Sequence, residues 1–193
     1  MNTADNHSKA PVWIGELETG SLLLGTVCIA ATSRGLLALE LTAHPAGFQA
    51  RFASRLGSAA DPHYAKVPAY LSQVQEYLEG KRRRFDIPID WSEMTPFQLK
   101  TLRETWAIPY GQIRTYSSLA HMLHKSKAAR AVGSALATNP MAIVIPCHRV
   151  VGVDKSLHRY AAPGGLDTKA WLLQLEGRVV RNHRIADDWQ ASS

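Results

Sequence analysis

"TYSSLAHMLHKSKAARAVGSALATN", residues 115–139, reads as two helices, "TYSSLAHMLH" and "AARAVGSALATN", joined by the short polar link "KSK". That spacing is a helix-turn-helix, and its neighbours are helical too. Upstream, Thr95 is a candidate N-cap with Pro96 at the first helical position, and "FQLKTLRETWA" runs until "IPYG" breaks it. Downstream, "LDTKAWLLQLEG" reads as a capped amphipathic helix ended by Gly177. Before Asp90 the character differs. "SLLLGTVCIAAT" and "GLLALELTA" are β-compatible runs around the turn Ser33–Gly35, followed by helices in "PAGFQARFASRL" and "VPAYLSQVQEYLEG" and a short strand in "RRRFDIPIDW". The expected fold is therefore α+β in two domains. Residues 1–90 form a small β-sheet and helix domain, residues 91–180 a mostly helical domain carrying the helix-turn-helix, and residues 181–193 a polar tail.

The chain has 193 residues, 46% of them apolar and 20% charged, an ordinary composition for a globular protein with its own core. Its two cysteines, Cys28 and Cys147, lie far apart with no CxxC pair, so neither a disulfide framework nor a zinc site is expected. The N-terminus lacks the apolar segment of a signal peptide, and no apolar run approaches the roughly 20 residues of a membrane span. We expect a cytoplasmic protein that binds no membrane, metal or cofactor. Charge is unevenly spread: residues 1–90 hold 9 Lys/Arg and 9 Asp/Glu, whereas residues 91–193 hold 13 and 7 and so carry the whole net charge of +6. The second half is the candidate for a polyanion contact, against the plainer alternative of solubility.

The chemistry concentrates in "IVIPCHRVVG", Ile143–Gly152. Cys28, in the smooth β sequence "GTVCIAA", is assigned to the core. Cys147 differs, because Pro146 interrupts strand bonding just before it and His148 and Arg149 are costly in a dry core. A reactive thiol needs a base or a positive charge nearby, which these two neighbours could supply. On an extended segment successive side chains face opposite ways, so contact between Cys147 and His148 needs a turn or a bridging water. Glu176 sits in the last turn of its helix, where a negative charge is disfavoured by about 0.3–1 kcal/mol. It is either a solvated glutamate or one held there by a partner such as His148.

The series "TPFQ" at Thr95, "IPYGQ" at Ile108, "TYSSLA" at Thr115, "AARAVGSALATNP" at Ala128, "IPCHRVVG" at Ile145 and "GGLDTKAWLLQLEG" at Gly164 resembles the O6-alkylguanine-DNA alkyltransferases, the methylated-DNA–protein-cysteine methyltransferases. The resemblance runs unbroken over about residues 95–177. It implies a ribonuclease-H-like N-terminal domain, a winged-helix-like C-terminal one, and single-turnover repair in which Cys147 keeps the alkyl group of O6-alkylguanine, with O4-alkylthymine a further candidate substrate. It implies that His148 draws the thiol proton through a water, that Glu176 polarises His148, and that Asn139 is the hinge between recognition helix and active-site strand. Tyr116 would assist the leaving guanine and nucleotide rotation, and Arg130 would fill the vacated stack. The carbonyls of Cys147 and Val150 would accept from the guanine amino group, and Tyr160 would line the pocket.

Repair at O6 requires the nucleotide to leave the duplex, at a cost of about a few kcal/mol. A helix with ordinary side chains is about 10–12 Å across and the minor groove about 6 Å wide, so only a slender helix enters it. The residues around Arg130, namely Ala128, Ala129, Ala131, Gly133, Ser134 and Ala135, are small enough, although close packing on a neighbouring helix also explains them. Lys125, Lys127 and Arg114 are candidate phosphate contacts, with solvated surface as the alternative. The expected partner is double-stranded DNA, bound by a monomer through its minor groove. The chain departs from the family pattern at His158 and Arg159, in a 160–165 loop two residues longer than usual, in Ala161 where some relatives have serine, and in Ala142 where some have proline. Two other readings compete: a non-enzymatic lesion-binding protein, which Cys147 argues against, and a Cys–His hydrolase, which leaves the helix-turn-helix unexplained.

Overall fold

A computed structural model of the chain describes residues 10–58 and 60–186. The N-terminal half is built on an antiparallel sheet in the order β1 (Trp13–Glu18), β2 (Thr26–Thr32), β3 (Gly35–Thr42). Every residue of β2 is buried because both faces of the sheet are covered. Val27, Ile29 and Ala31 face the main core with Tyr70 and Val74 of α2 (Lys66–Leu78), while Cys28 and Ala30 pack with Phe48 of α1 (Pro45–Phe52). Cys28 is thus a core residue, and burial, reinforced by Glu16, pushes its thiol up to about 12. β1 was not expected from sequence, since its few apolar residues are interrupted by Gly15. That glycine lets α2 lie close: a Cβ there would come within 2.3 Å of Val67 Cγ1.

The strand expected in "RRRFDIPIDW" does not form. Only Ile89 bridges to Leu36, through Leu36 N to Pro88 O (2.8 Å) and Asp90 N to Leu36 O (2.8 Å). Pro88 has no N–H to extend the ladder. Asp90, almost fully buried, accepts from Thr32 Oγ1 (2.6 Å) and Arg34 Nε (3.1 Å), fastening the β2–β3 turn to the start of the second half.

That half opens with α3 (Pro96–Trp106), where Thr95 Oγ1 accepts from Gln98 N as an N-cap. β4 (Arg114–Thr115) pairs in parallel with β5 (Val150–Val151). The helix-turn-helix is α4 (Tyr116–Met122), opened by a capping box of Thr115 and Ser118, and α5 (Ala129–Ala137). α6 (Leu166–Leu175) follows, starting from Gly165 at φ 54° without a side-chain N-cap and ended by Gly177 at φ 86°, as the sequence reading expects. The polar-tail reading also needs correction, because β6 (Val180–Arg181) and β7 (Arg184–Ile185) form a hairpin whose Ile185 is buried with Leu157 and Leu173. Residues 187–193 of that tail lie outside the described residues.

The two halves share one core. Leu39 and Tyr77 belong to the same buried cluster as Leu119, Ile145 and Leu172. Backbone bonds join them as well: Leu39 N donates to Pro140 O (2.7 Å) and Ala142 N donates to Leu39 O (3.0 Å). The β3 edge is thereby covered by the segment that leads to Cys147. Among the described residues, no helix is long and apolar enough to cross a membrane.

Candidate active site

The active-site segment is not the strand its apolar run suggests. Ile145 N donates to Met141 O (2.9 Å), Cys147 N donates to Ile145 O (2.8 Å), and Ile143 takes a left-handed φ of 68°. A β-branched residue there is strained. Asn139 holds this turn. Its Oδ1 accepts from Met141 N (3.1 Å), and its Nδ2 donates to Ile145 O (2.9 Å) and to Cys147 Sγ (3.3 Å). Cys147 begins a short 3-10 turn, Cys147–Arg149, which supplies the bend that adjacency of Cys147 and His148 requires.

Cys147 is half-buried and opens onto a cleft of about 1430 Å³. Tyr116, Asn139 and Ala142 line that cleft, as do Tyr160 and Ala161 from the long loop. So do Ala129, Arg130 and Ser134 of α5, and Arg130 and Ser134 belong with Ala131 and Ala137 to its exposed face. His158 and Arg159 also reach the cleft, as do Glu40, His44 and Arg51 from the N-terminal half. Ala128 is the N-cap of α5, outside the lining. Lys125 sits over the Phe97 ring, Lys127 is exposed in the α4–α5 link, and Arg114 donates to Ile113 O (3.1 Å), none of them in the cleft. The Val150 carbonyl accepts from Lys169 Nζ (2.6 Å), so a ligand there would share it.

Behind Cys147 lies a buried polar network. His148 Nε2 is 3.1 Å from Glu176 Oε1, and Tyr77 Oη donates to the same oxygen (2.7 Å) while standing 3.3 Å from His148 Nε2. Arg149 donates through Nε and Nη2 to Glu176 (2.9 and 2.7 Å), and Gly111 N donates to Oε2 (3.0 Å). Gly111 occupies φ 72°, a glycine conformation that aims its N–H at the carboxylate. Glu176 is therefore held rather than solvated. Arg149 corrects the sequence reading, since its charge is spent on Glu176 and not on the sulfur.

The charges follow from these contacts. Burial would raise the Glu176 carboxyl, but His148 and Arg149 outweigh it and hold it well below the usual carboxylate range. Burial lowers His148, against the opposing pull of Glu176, so the imidazole is neutral at pH 7. Burial raises the Cys147 thiol, which the Asn139 hydrogen bond and the Lys169 charge partly offset. The resting site thus pairs a neutral thiol with a neutral base. Among the described residues, buried His148 Nδ1 has no hydrogen-bond partner and is free to take a proton.

Sequence reasoning missed Lys169 and Tyr77. Lys169 is fully buried on α6, donates to Val150 O and His158 O, and is pushed by burial down to about 8. A signal existed: Lys169, Leu172, Leu173 and Glu176 share one helix face by three-and-four spacing. Tyr77 had no such signal. Among the described residues, no cluster of three or more His, Cys, Asp or Glu could hold a metal.

Comparison with known proteins agrees with this architecture in both halves. Residues 21–91 match the family described as "6-O-methylguanine DNA methyltransferase, ribonuclease-like domain", and residues 96–178 match its DNA binding domain. A methylated-DNA–protein-cysteine methyltransferase of Shigella flexneri is 38% identical over 139 residues, 67% of this chain and 80% of that protein. The chain belongs to the methylated-DNA–protein-cysteine methyltransferase family. Its inducible relative from Bacillus subtilis is 43% identical over 114 residues, covering 59% of this chain and 62% of that protein. The match thus spans somewhat less than two thirds of that relative. Among solved structures, the Mycobacterium tuberculosis O6-methylguanine methyltransferase superposes with a TM-score of 0.70 at 29% identity, covering 86% of this chain and 92% of that one. A DNA complex of the M. tuberculosis protein matches with a TM-score of 0.66 at 30% identity, over 84% and 91%.

Proposed function

We infer that the protein repairs alkylated DNA by moving the alkyl group of O6-alkylguanine onto Cys147, once per molecule. The observation that carries this reading is a half-buried thiol in the same cleft as the exposed face of α5, backed by a buried base whose second nitrogen is free. Residues 1–90 act as the supporting domain and 91–180 as the DNA-binding and acceptor domain. α5 enters the minor groove, with Arg130 replacing the extruded nucleotide, and Lys125, Lys127 and Arg114 contact phosphates, so binding weakens with salt. The likeness to a protein solved with DNA supports the partner, and the small exposed side chains of α5 support the groove. The protein acts as a monomer.

In the reaction, His148 Nδ1 takes the thiol proton, directly or through a water. Glu176 steadies the imidazolium that forms. The sulfur attacks the alkyl carbon; the S–C bond forms as the C–O6 bond breaks, and the electron pair leaves on guanine. Tyr116, raised to about 12 by burial and by Cys147, keeps its proton at neutral pH and can hydrogen-bond through it to the departing base, whose anion takes its proton in the end from the His148 imidazolium or from water. Asn139 Nδ2 and Lys169 favour the developing thiolate. The Tyr160 hydroxyl, buried at the cleft and without a partner among the described residues, is available to the flipped base. The thioether is a poor leaving group, so the site does not regenerate.

The test is intact mass after incubation with duplex DNA carrying O6-methylguanine. One methyl per chain, located on Cys147 and absent in Cys147→Ser, is expected. Repeated turnover, or transfer that survives the serine substitution, would overturn the reading.

A further inference from the structure

Tyr77 comes from α2, in the half of the molecule remote in sequence from the thiol, yet its hydroxyl sits inside the His148–Glu176 pair. A phenol has one proton. Glu176, kept ionised, has none, so the Tyr77 proton points to Oε1 (2.7 Å). Toward His148 Nε2, 3.3 Å away, the tyrosine can then present only a lone pair. The other neighbour of Nε2, Glu176 Oε1 at 3.1 Å, is also an acceptor. Two acceptors around one ring nitrogen require that nitrogen to carry the hydrogen. Nδ1 is left as the basic nitrogen, and among the described residues it has no partner.

We propose that Tyr77 is a positioning residue for the acceptor reaction: the N-terminal half supplies the hydroxyl that anchors Glu176 Oε1 against the His148 Nε2–H, so that the ring is held with Nδ1 placed to receive the Cys147 proton. This rests on the alkyl-acceptor reading. Two further observations fit it. The Tyr77 ring is fully buried and wedged edge-on against Tyr110 and tilted on Phe85, so the hydroxyl has a fixed position. The Tyr110 hydroxyl in turn donates to Leu175 O (2.8 Å), tying the same aromatic group to the end of α6 beside Glu176. Among the described residues, the titratable and charged groups around His148 are Glu176, Arg149, Lys169, Tyr77, Tyr160 and Cys147. Of these, only Tyr77 comes from the N-terminal half.

The experiment compares wild type, Tyr77→Phe and the packing control Val74→Ala, a fully buried residue of the same helix. Cys147 is alkylated with iodoacetamide across pH and the product located by mass; Cys28 is sealed in the core and does not compete. Tyr77→Phe keeps the ring and is expected to slow Cys147 about tenfold below its apparent pKa, the scale of one hydrogen bond to a charged group, moving the acid limb up by about one pH unit. Two-bond nitrogen–proton correlations of His148 should show the Nε2–H tautomer in both proteins, kept there by the carboxylate, with the Nε2 proton moved from its wild-type shift in Tyr77→Phe. Val74→Ala should melt earlier without moving the acid limb. An unchanged limb and Nε2 proton shift in Tyr77→Phe, or an equal shift of the limb in Val74→Ala, overturns the proposal. If wild type takes no methyl from DNA but the iodoacetamide limb still moves in Tyr77→Phe, the repair reading fails and the role of Tyr77 stands.

Discussion

Replacing Lys169 with methionine tests the site at its most costly residue. Burial lowers the ammonium from 10.5 to about 8. At 1.36 kcal/mol per unit, this is about 3 kcal/mol held against the charged form in the folded state at neutral pH. Methionine removes that penalty but leaves the carbonyls of Val150 and His158 without their donor, at about 1–3 kcal/mol each, so stability at pH 7 should change little. The pH dependence is the sharper reading. Folded Lys169 loses its proton before the unfolded chain does, so between about pH 8 and 10.5 the unfolded state binds more protons and lysine-containing protein gains stability as pH rises. Lys169→Met lacks that gain. Urea unfolding at a series of pH values, in a Cys147→Ser background so that the thiol does not titrate in the same window, should show the two proteins diverging by about 3 kcal/mol, with the lysine form favoured at high pH. With Cys147 present, Lys169→Met should also alkylate more slowly, because the nearby positive charge favouring the thiolate is gone. Parallel stability curves from pH 7 to 10.5 would refute the buried-ammonium argument.

Glu176→Gln leaves Arg149 buried beside a neutral amide, which should cost about 3–5 kcal/mol in denaturant unfolding and slow methyl transfer through loss of the imidazolium's partner. Asp90→Asn should cost about 2 kcal/mol at pH 7: burial disfavours the carboxylate, but Arg34, Thr32 and Ser92 bring it down to about 2. Its stabilisation is present above the unfolded value of 3.8 and is lost as pH falls through about 2, so wild type and variant should converge in acid unfolding. Arg130→Ala should impair reaction with O6-methylguanine in duplex DNA more than reaction with free O6-alkylguanine base, measured by mass labelling of Cys147. Equal losses on both substrates would remove Arg130 from nucleotide extrusion.

The sequence by itself determined whatever depends on neighbours along the chain. Thr95 and Thr115 cap α3 and α4 as side chains three residues from their partners, the β2–β3 hairpin turns at Ser33 and Arg34 into Gly35, and the helix-turn-helix follows from two short helices and a polar link. Cys28 was legible as core from its unbroken β setting, and Cys147 as the odd cysteine from Pro146, His148 and Arg149. The resemblance brought His148, Glu176, Asn139, Tyr116 and Arg130 into one expected site. Tertiary structure decided what the run "IVIP" becomes, because the β3 edge takes hydrogen bonds from residues 140–142 and Asn139 closes the turn after them, forcing Ile143 into a left-handed bend where β propensity favoured a strand. It also decided which charges meet. Arg149 pairs with Glu176 across 27 positions, and Tyr77 reaches His148 across 71 and Glu176 across 99. Separations of that size leave no periodicity to read. Such groups find each other because burying any one of them alone would cost more than the network returns to each.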